Sequence, residues 1–207
     1  MSKNSCKGFN VIYKKRFGIR TPIVYLENME VDEKVRDRFQ KSWKRFYPKA
    51  KSIISESRGE RLEAFFRQLK KDGTDERYCK RVTIRRINSH VGFGVFATED
   101  IPPYSTLHHY AGVLMHDDDL DPDHDSTFSF TDYKNYSIDA MEKGNWTRFM
   151  NHSPDGNPKT NVIPWEYYLP EGPRVVFTSG QYGIKKDQQL LYSYGDTYWE
   201  ERKFSSL

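Results

Sequence analysis

Short β-prone runs fill the 207-residue chain after Arg81 and leave few folds open to it. Turn clusters such as DIPPYS and LPEGP separate these runs, at intervals typical of sheet-rich domains. The runs are RVTIRRI, GVFAT, TLHHYAGVLM, STFSF, YSIDA, NVIPWEYY, RVVFTS and QLLYSYG. The sequence shows neither a strand-helix-strand alternation nor an internal repeat. It therefore predicts a mostly β, strand-rich α+β domain over residues 81–207.

The first 80 residues have a helical pattern instead. Apolar side chains recur every three or four residues within Glu30 to Lys71, and a second stripe occupies RGERLEAFFRQLKKDG, where Gly73 offers a stop. The two stripes consist of Val35, Phe39, Trp43 and Phe46, and of Leu62, Phe65, Phe66 and Leu69. Two or three amphipathic helices are expected. We therefore predict a basic helical N-terminal region (1–80) ahead of the β domain.

The two regions also differ in charge. Residues 1–80 hold 21 basic and 11 acidic side chains, whereas the remaining residues hold 12 and 18. An acidic β domain favours a basic partner over nucleic acid. The basic helices could form a surface for phosphates or a merely solvated face. Because their aromatic residues have the spacing of a core, we predict no direct nucleic-acid site.

Several chemistries lack the residues that they need. The two cysteines, Cys6 and Cys79, are too few for a disulfide framework or a cysteine-rich zinc site. The sequence contains no H-E-x-x-H and no G-x-S-x-G motif, and no apolar run long enough to span a bilayer. We therefore expect a soluble protein of a reducing compartment, with no metal site and no membrane partner.

Two motifs match ligand-binding patterns only formally. GFGVFA, residues 92–97, fits the dinucleotide pattern G-x-G-x-x-A, but TEDIPPY follows it in place of a helix. It could be a strand bulge, or open backbone beside a ligand that approaches closely. HDDDLDPDHDS, residues 116–126, spaces its aspartates as a calcium loop does but has His124 and Phe130 where Gly and Glu are required. It could be a solvated acidic loop or one that attracts a basic peptide.

Two further stretches suggest a site without defining it. In RFMNHSPDGNPKTNV, residues 148–162, Asn151 and His152 stand among turn formers, which excludes a regular helix. In QQLLYSYGDTYWEER, Tyr192 and Tyr194 fall on one face of a predicted strand. These two phenols could be cross-strand packing or the wall of a narrow channel for an amine.

Taken in order, GFGVFA, HYAGVL, YSIDAMEKGNWTRFMNHS and QQLLYSYG resemble the four landmark segments of SET-domain protein lysine methyltransferases. The resemblance covers roughly residues 85–202. It is greatest for short, zinc-free bacterial members of the chlamydial nuclear-effector type. It implies a fold of several small sheets with a pseudoknot, preceded by helices, and S-adenosyl-L-methionine as the cofactor.

The resemblance also assigns roles to individual residues. It implies that the cofactor lies against Gly92, Phe93, Gly94, Arg148, Asn151, His152 and Trp199. Tyr194 stands where the family has its catalytic tyrosine, with Tyr110 and Tyr192 beside it in the reaction. The lysine channel would be lined by Tyr110, Tyr136 and Tyr192. Members carry Phe or Tyr at the position of Tyr192, and a tyrosine there resembles mono-methylating enzymes.

The chain departs from the family pattern in one of these segments. Where many members have E-E-L-x-F-D-Y, it carries Gln188, Gln189 and Ser193, and the usual cysteine after NHS is missing. The missing cysteine agrees with a zinc-free member. The lost acids weaken the charge match to a basic peptide at that spot, which residues 117–125 could supply instead.

One leading hypothesis and two alternatives follow. The first is a lysine methyltransferase of histone or other basic tails, mainly mono-methylating. By its greatest resemblance, it would be a bacterial effector that enters a host cell by a non-Sec route and acts on chromatin in the nucleus. Alternatively, the chain is a catalytically weak SET module that binds chromatin or a partner protein, or a methyltransferase of the organism's own cytoplasmic proteins. A homodimer is left open in each case.

Overall fold

A computed structural model describes residues 6–50, 63–69, 71 and 75–195, with side chains from residue 11 onward. Its helices are α1 (Cys6–Phe17), α2 (Arg36–Ala50), α3 (63–69) and α4 (Glu76–Cys79). Its strands are β1 (Val24–Tyr25), β2 (Glu30–Val31), β3 (Val82–Asn88), β4 (Gly92–Ala97), β5 (Thr106–His109), β6 (Val113–His116), β7 (Thr127–Ser129), β8 (Tyr136–Asp139), β9 (Lys143–Gly144), β10 (Asn151–His152), β11 (Val162–Leu169), β12 (Gly172–Ser179) and β13 (Leu191–Tyr192). Two 3₁₀ turns cover Asp117–Asp119 and Trp146–Phe149.

The strands form several small sheets, which confirms the predicted fold class. The largest has the order β2-β6-β8-β7, and a three-stranded antiparallel sheet has the order β11-β12-β5. β3 and β4 form an antiparallel hairpin. Two further pairs, β1-β9 and β10-β13, are parallel and join stretches that are far apart in sequence. Within the described residues, no helix is long and apolar enough to cross a membrane.

Strands from the N-terminal region belong to these sheets. Val24 of β1 pairs with Lys143, and Glu30 of β2 pairs with Val113. The predicted helical segment therefore begins at Arg36 and not at Glu30, because residues 30–31 extend a sheet. The boundary at residue 80 stays a prediction.

Helix α2 fixes the N-terminal region to the β domain through its aromatic stripe. Phe39 and Trp43 are buried, as predicted. The Trp43 indole donates to the Leu169 carbonyl at 3.1 Å, at the end of β11. The Phe46 ring lies 4.8 Å from that of Tyr133, between centroids. Burial of these rings removes a large apolar area from water and so stabilises the docking of the helix.

Helix α3 shows the second predicted stripe in part. Phe65 and Leu69 are buried, and the Phe65 ring packs edge-on against Tyr78 of α4, with centroids 5.1 Å apart. Leu62 and Gly73 lie outside the described residues. The apolar spacing in this segment thus reflects packing against α4 and against the histidines of β5.

A buried polar cluster, which we name the Asp75 cluster, links α1, β1, α4 and β5. It comprises Asp75, Arg16, Tyr25, Cys79 and His108. The Asp75 carboxylate is fully buried and accepts hydrogen bonds from the Arg16 guanidinium and the Tyr25 hydroxyl. His108 Nε2 lies 3.4 Å from Asp75 Oδ2, and the Tyr25 hydroxyl lies 3.2 Å from Cys79 Sγ. A buried carboxylate requires such partners, because burial without them is costly.

Two buried ionisable groups in this part of the core, His109 and Asp75, should make the fold less stable in acid. Burial holds the pKa of His109 well below its usual value, so the folded chain keeps this ring neutral. Burial alone would raise the pKa of Asp75, but His108, Tyr25 and Arg16 lower it to about 2. In both cases the unfolded chain binds more protons, so stability falls as the pH falls. The loss begins near pH ~6.5 for His109 and continues between about 4 and 2 for Asp75.

The pH dependence of the melting temperature checks this prediction. We expect it to fall from pH 7.5 to 5, and His109→Phe to make that fall shallower. Both ring nitrogens of His109 lack hydrogen-bond partners within the described residues, and Phe65 and Phe66 pack against the ring. The matched control is His90→Phe at an exposed position. The hydrogen bond with Asp139 raises the pKa of His124, so this residue makes the fold more stable as the pH falls and opposes the effect of His109. Equal slopes in both variants would contradict the assignment to His109.

Candidate active site

The site is built where two distant stretches of chain run side by side. β10 and β13 pair in parallel, with His152 opposite Tyr192. The C-terminal stretch also bonds to β4, because the Leu190 amide donates to the Val95 carbonyl at 2.8 Å. Residues 188–192 are thereby held between β4 and the 151–153 segment. The family resemblance implies a knot-like crossing in this region, and we name the meeting of β4, β10 and β13 the crossing.

The first landmark motif meets this crossing through Gly94. The Asn151 side-chain amide donates to the Phe93 carbonyl at 3.0 Å. A Cβ at position 94 would lie 3.1 Å from Asn151 Nδ2 and 2.7 Å from Gln189 Nε2. A side chain at position 94 would therefore require the ends of the Ile87, Gln189 and Asn151 side chains to shift. Three of the predicted cofactor residues come together here, and Gly92 begins the same strand.

His152 contacts the predicted catalytic tyrosine. Its Nδ1 accepts a hydrogen bond from the Tyr194 amide at 3.2 Å, and the two rings are 5.3 Å apart between centroids. Burial lowers the pKa of His152, which keeps the ring neutral and Nδ1 able to accept. The Tyr194 hydroxyl in turn donates to the Met150 carbonyl at 2.6 Å. This geometry gives His152 an orienting contact with the backbone of Tyr194.

Three tyrosines, Tyr110, Tyr192 and Tyr194, form the tyrosine group: the first two contact Phe177 of β12, and Tyr194 contacts Tyr192. The Tyr192 and Tyr194 rings are 4.8 Å apart, and Tyr192 lies 5.0 Å from Phe177. Tyr110 reaches the same phenylalanine at 6.2 Å. Burial raises the pKa of Tyr110 far above its usual value, so its hydroxyl stays protonated and acts as a donor. The structure thus joins the three residues that the sequence predicts as catalytic.

Arg148 and Ser126 connect this group to the acidic loop. The Tyr110 hydroxyl donates to the Ser126 carbonyl at 2.8 Å, and Arg148 Nη2 donates to Ser126 Oγ at 2.8 Å. Arg148 Nε donates to the Ala140 carbonyl at 2.6 Å. The guanidinium is therefore fixed between the loop and the strand end. Arg148 precedes Asn151 by three residues, but its hydrogen bonds go to Ser126, Ala140 and Met141 and not to the other predicted cofactor residues that the structure describes.

The acidic loop, residues 117–125, is held down by histidine contacts. His124 Nδ1 lies 2.6 Å from Asp139 Oδ2, and the hydrogen bond to Asp139 raises the pKa of His124. Asp121 and Asp125 stay exposed at the surface. Within the described residues, no group of three or more His, Cys, Asp or Glu side chains is arranged to hold a metal ion. The loop therefore presents carboxylates next to the tyrosine group.

Tyr136, predicted for the channel, lies in a different cluster. Its ring stacks on Tyr133 at 5.2 Å and packs edge-on against Phe39 at 5.7 Å and His116 at 5.1 Å. These partners belong to the contact with α2 and to β6. The structure therefore does not join Tyr136 to the tyrosine group. Trp199, predicted to cover the adenine, lies outside the described residues.

Gly112 in HYAG and Asn145 in GNW each have a structural role that requires that residue type. A Cβ at Gly112 would collide with the Asp139 carbonyl and lie 2.8 Å from Ile138 Cγ2. The chain just before β6 can therefore lie this close to β8 only if residue 112 is glycine. Asn145 is fully buried, and its Nδ2 donates to the His109 carbonyl at 2.8 Å. Its Oδ1 accepts from the Thr147 amide at 3.1 Å, which caps the 3₁₀ turn.

Sequence reasoning missed Asn145, Asn161 and Phe177. Asn161 brackets the C-terminal stretch: its Nδ2 donates to the Gln189 carbonyl at 2.9 Å and its Oδ1 accepts from the Leu191 amide at 3.0 Å. The capping signal, an Asn directly before a helical turn, could have identified Asn145. Asn161 and Phe177 carry no such local signal, because their roles depend on tertiary contacts.

The SET domain family profile matches residues 92–195. These residues contain β4, the crossing and the tyrosine group, and they make up half of the chain. The chain belongs to the SET domain family.

Individual relatives extend this result. Histone-lysine N-methyltransferase EHMT1 of Homo sapiens is 30% identical over 118 residues, which are 53% of this chain and 9% of that protein. Histone-lysine N-methyltransferase EZH2 of Chaetomium thermophilum is 29% identical over 120 residues, 52% of this chain and 8% of that protein. The chain thus spans less than a tenth of the length of these curated relatives.

The crystal structure of ATXR5 in complex with histone H3.1 mono-methylated on R26 shares the fold. The two structures superpose with a TM-score of 0.61 and 18% sequence identity, and the alignment covers 92% of this chain and 87% of the ATXR5 chain. At this identity the likeness shows the fold alone. Because the coverage exceeds residues 92–195, the shared fold includes N-terminal elements as well.

Proposed function

We propose that this chain is a protein-lysine N-methyltransferase that uses S-adenosyl-L-methionine. The observation that carries the proposal is the convergence of the four family segments on one place, where β4, the β10-β13 crossing and the tyrosine group meet. Membership of the SET domain family and the names of its histone-lysine methyltransferase relatives support the same activity.

The residues at the crossing fit the cofactor. A Cβ at Gly92 would meet no heavy atom within 4 Å, so β4 begins with open backbone that a ligand can approach closely, and the Asn151 amide contacts the next residue, Phe93. We assign cofactor binding to Gly92, Phe93, Gly94, Arg148, Asn151 and His152, with Trp199 carried over from the sequence. When bound, S-adenosylmethionine would supply an electrophilic methyl group on a sulfonium sulfur. Every other task falls to the chain's own residues.

The tyrosine group suits the lysine side of the reaction. Only a neutral amine is a nucleophile, so the site must favour loss of the lysine proton and align the nitrogen. Buried rings desolvate the ammonium group and lower its pKa, while their faces attract the cationic chain as it enters. The hydroxyls of Tyr110 and Tyr194 donate their own protons to backbone carbonyls, so their oxygens would accept from the amine and orient it while the lysine proton leaves to water.

The acidic loop supports a basic peptide as the substrate. Exposed Asp125 ends the loop, and the carbonyl of the next residue, Ser126, accepts from the Tyr110 hydroxyl, so the loop adjoins that tyrosine. Complementary charge guides a basic partner and fixes its register. We therefore propose histone or similar basic tails as the substrate class. Secretion by a non-Sec route, action in a host nucleus and a homodimer stay predictions.

Incubation with labelled S-adenosylmethionine and core histones tests the proposal. We expect transfer of label to lysine, and cofactor binding by calorimetry. A known SET enzyme under the same conditions serves as the positive control. Binding of the cofactor without transfer to any of an arrayed set of basic peptides would favour the catalytically weak module instead. Absence of both binding and transfer would reject the proposed activity.

The product state gives a separate prediction. We propose that Tyr192 limits the reaction mainly to one methyl group, because its hydroxyl occupies space that further methyl groups need. Its ring is buried between Tyr194 and Phe177, so Tyr192→Phe keeps the packing and removes one oxygen. We expect mass spectra to show more di- and trimethyl product with this variant. Tyr182→Phe at an exposed site is the matched control, and an unchanged product distribution would contradict the explanation.

A further inference from the structure

Helix α2 has exposed basic side chains outside the face that packs against the core. Its sequence, RDRFQKSWKRFYPKA, contains six basic residues and one acidic residue. The helical period places four of the basic side chains along one flank, at spacings of three and four residues. We name these the α2 basic row: Arg38, Lys41, Arg45 and Lys49. All four are exposed, whereas Phe39 and Trp43 on the adjoining face are buried.

The row lines a groove of about 650 Å³. Residues 132–135 also line this groove and add the ammonium group of Lys134. The rings of Phe46 and Tyr133, with centroids 4.8 Å apart, contribute apolar lining. Asp132 is the one carboxylate among the lining residues that the structure describes. Five cations around a concave, partly apolar surface focus a positive potential there.

The length of the row matches a polyanion with closely spaced charges. Arg38 and Lys49 are eleven residues apart, which at ~1.5 Å per residue is roughly 16 Å. One strand of duplex DNA carries a phosphate every ~3.4 Å along the axis, so the row faces about four or five phosphates. A single small anion would span only a part of this row.

We propose that the groove binds the sugar-phosphate backbone of DNA through the α2 basic row and Lys134. The sequence alone predicted no nucleic-acid site, because the aromatic residues of α2 have core spacing. They do form core, but the fold brings Lys134 from a distant loop to the basic flank. Phosphate contacts of this kind would position the chain without reading a base sequence.

This inference deepens the proposed function and rests on it for its meaning. The acidic loop is complementary in charge to a basic tail, and the basic groove is complementary to DNA. A substrate that offers both, a basic tail beside DNA, would therefore bind better than a free tail. The substrate class would then be histone tails within DNA-bound particles, and free tails would use only the acidic loop.

Fluorescence anisotropy with the full chain tests the binding directly. The probe is a labelled duplex of about 20 base pairs, titrated between about 50 and 200 mM KCl. Lys41→Gln with Arg45→Gln should weaken binding at least about tenfold and lower the slope of log affinity against log salt by about 2. The control is Lys14→Gln with Lys15→Gln, an equal charge change on exposed residues of α1. Circular dichroism melts establish that both double variants fold.

Three results would contradict DNA binding by this groove. Absence of binding at about 50 mM salt would reject it. Equal weakening by the two double variants would show a general charge effect. Competition by polyglutamate at an equal or lower charge concentration would identify an acidic protein as the occupant. The groove variant should still bind S-adenosylmethionine and methylate a free basic peptide, so failure of the proposed function in the parent chain is detected separately.

Discussion

Tyr194→Phe should lower the rate of methyl transfer about 100-fold or more while leaving cofactor affinity within about threefold. The Tyr194 hydroxyl is fixed by its bond to the Met150 carbonyl at 2.6 Å, and its ring lies against Tyr192 and His152. Phenylalanine keeps the ring packing but removes the hydroxyl that we propose to orient the amine. Single-turnover transfer from labelled cofactor measures the rate, and calorimetry measures the affinity.

The control for this variant is Tyr182→Phe. That tyrosine is 87% exposed, so loss of its hydroxyl should change neither rate nor affinity. A melting temperature close to that of the parent would exclude unfolding as the cause of a slow rate. If Tyr194→Phe retains more than a tenth of the rate, its hydroxyl does not take part in the reaction and the assignment fails.

Asp75→Ala should lower the free energy of unfolding by about 3–5 kcal/mol, because it removes one partner of a buried, charged cluster. The carboxylate is fully buried and bonds to both Arg16 and Tyr25. Without it, the buried Tyr25 hydroxyl loses its carboxylate acceptor, and the Arg16 guanidinium exchanges a buried partner for its 3.1 Å pair with the partly exposed Glu27. Urea denaturation followed by circular dichroism measures the change.

A surface ion pair provides the comparison for Asp75. Arg81 Nε and Glu99 Oε1 are 3.1 Å apart, and the Glu99 side chain is mostly exposed. Glu99→Ala should therefore cost less than about 1 kcal/mol, as exposed pairs usually do. Similar losses in the two variants would show that the Asp75 cluster contributes no more than a surface contact.

Local patterns predicted the elements that depend on local chemistry. The core spacing of Phe39 and Trp43 identified α2, and the turn formers around His152 excluded a helix there. The order of the four landmark segments gave the fold class and the tyrosine group. Each of these predictions used residues close in sequence or a resemblance that spans most of the β domain.

Predictions that depended on tertiary placement were less successful. Val31 extends a sheet because β6 offers it a free edge, although its neighbours have a helical pattern. Tyr136 follows the alternation of β8 into the contact with α2, away from Phe177. The Asn161 bracket and the groove beside Lys134 involve residues brought together only by the fold. A single sequence carries no signal for such pairings.

The parallel pairing of β10 with β13 also sets the order in which the molecule can become active. His152 and Tyr192 are partners across 40 residues, and both strands contribute to the same site. Contacts of such long range form slowly, because loop closure precedes any gain from pairing. A nascent chain emerging from the ribosome can complete its hairpins early. The site that we propose for the cofactor is complete only after β13 has been synthesised and has paired with β10.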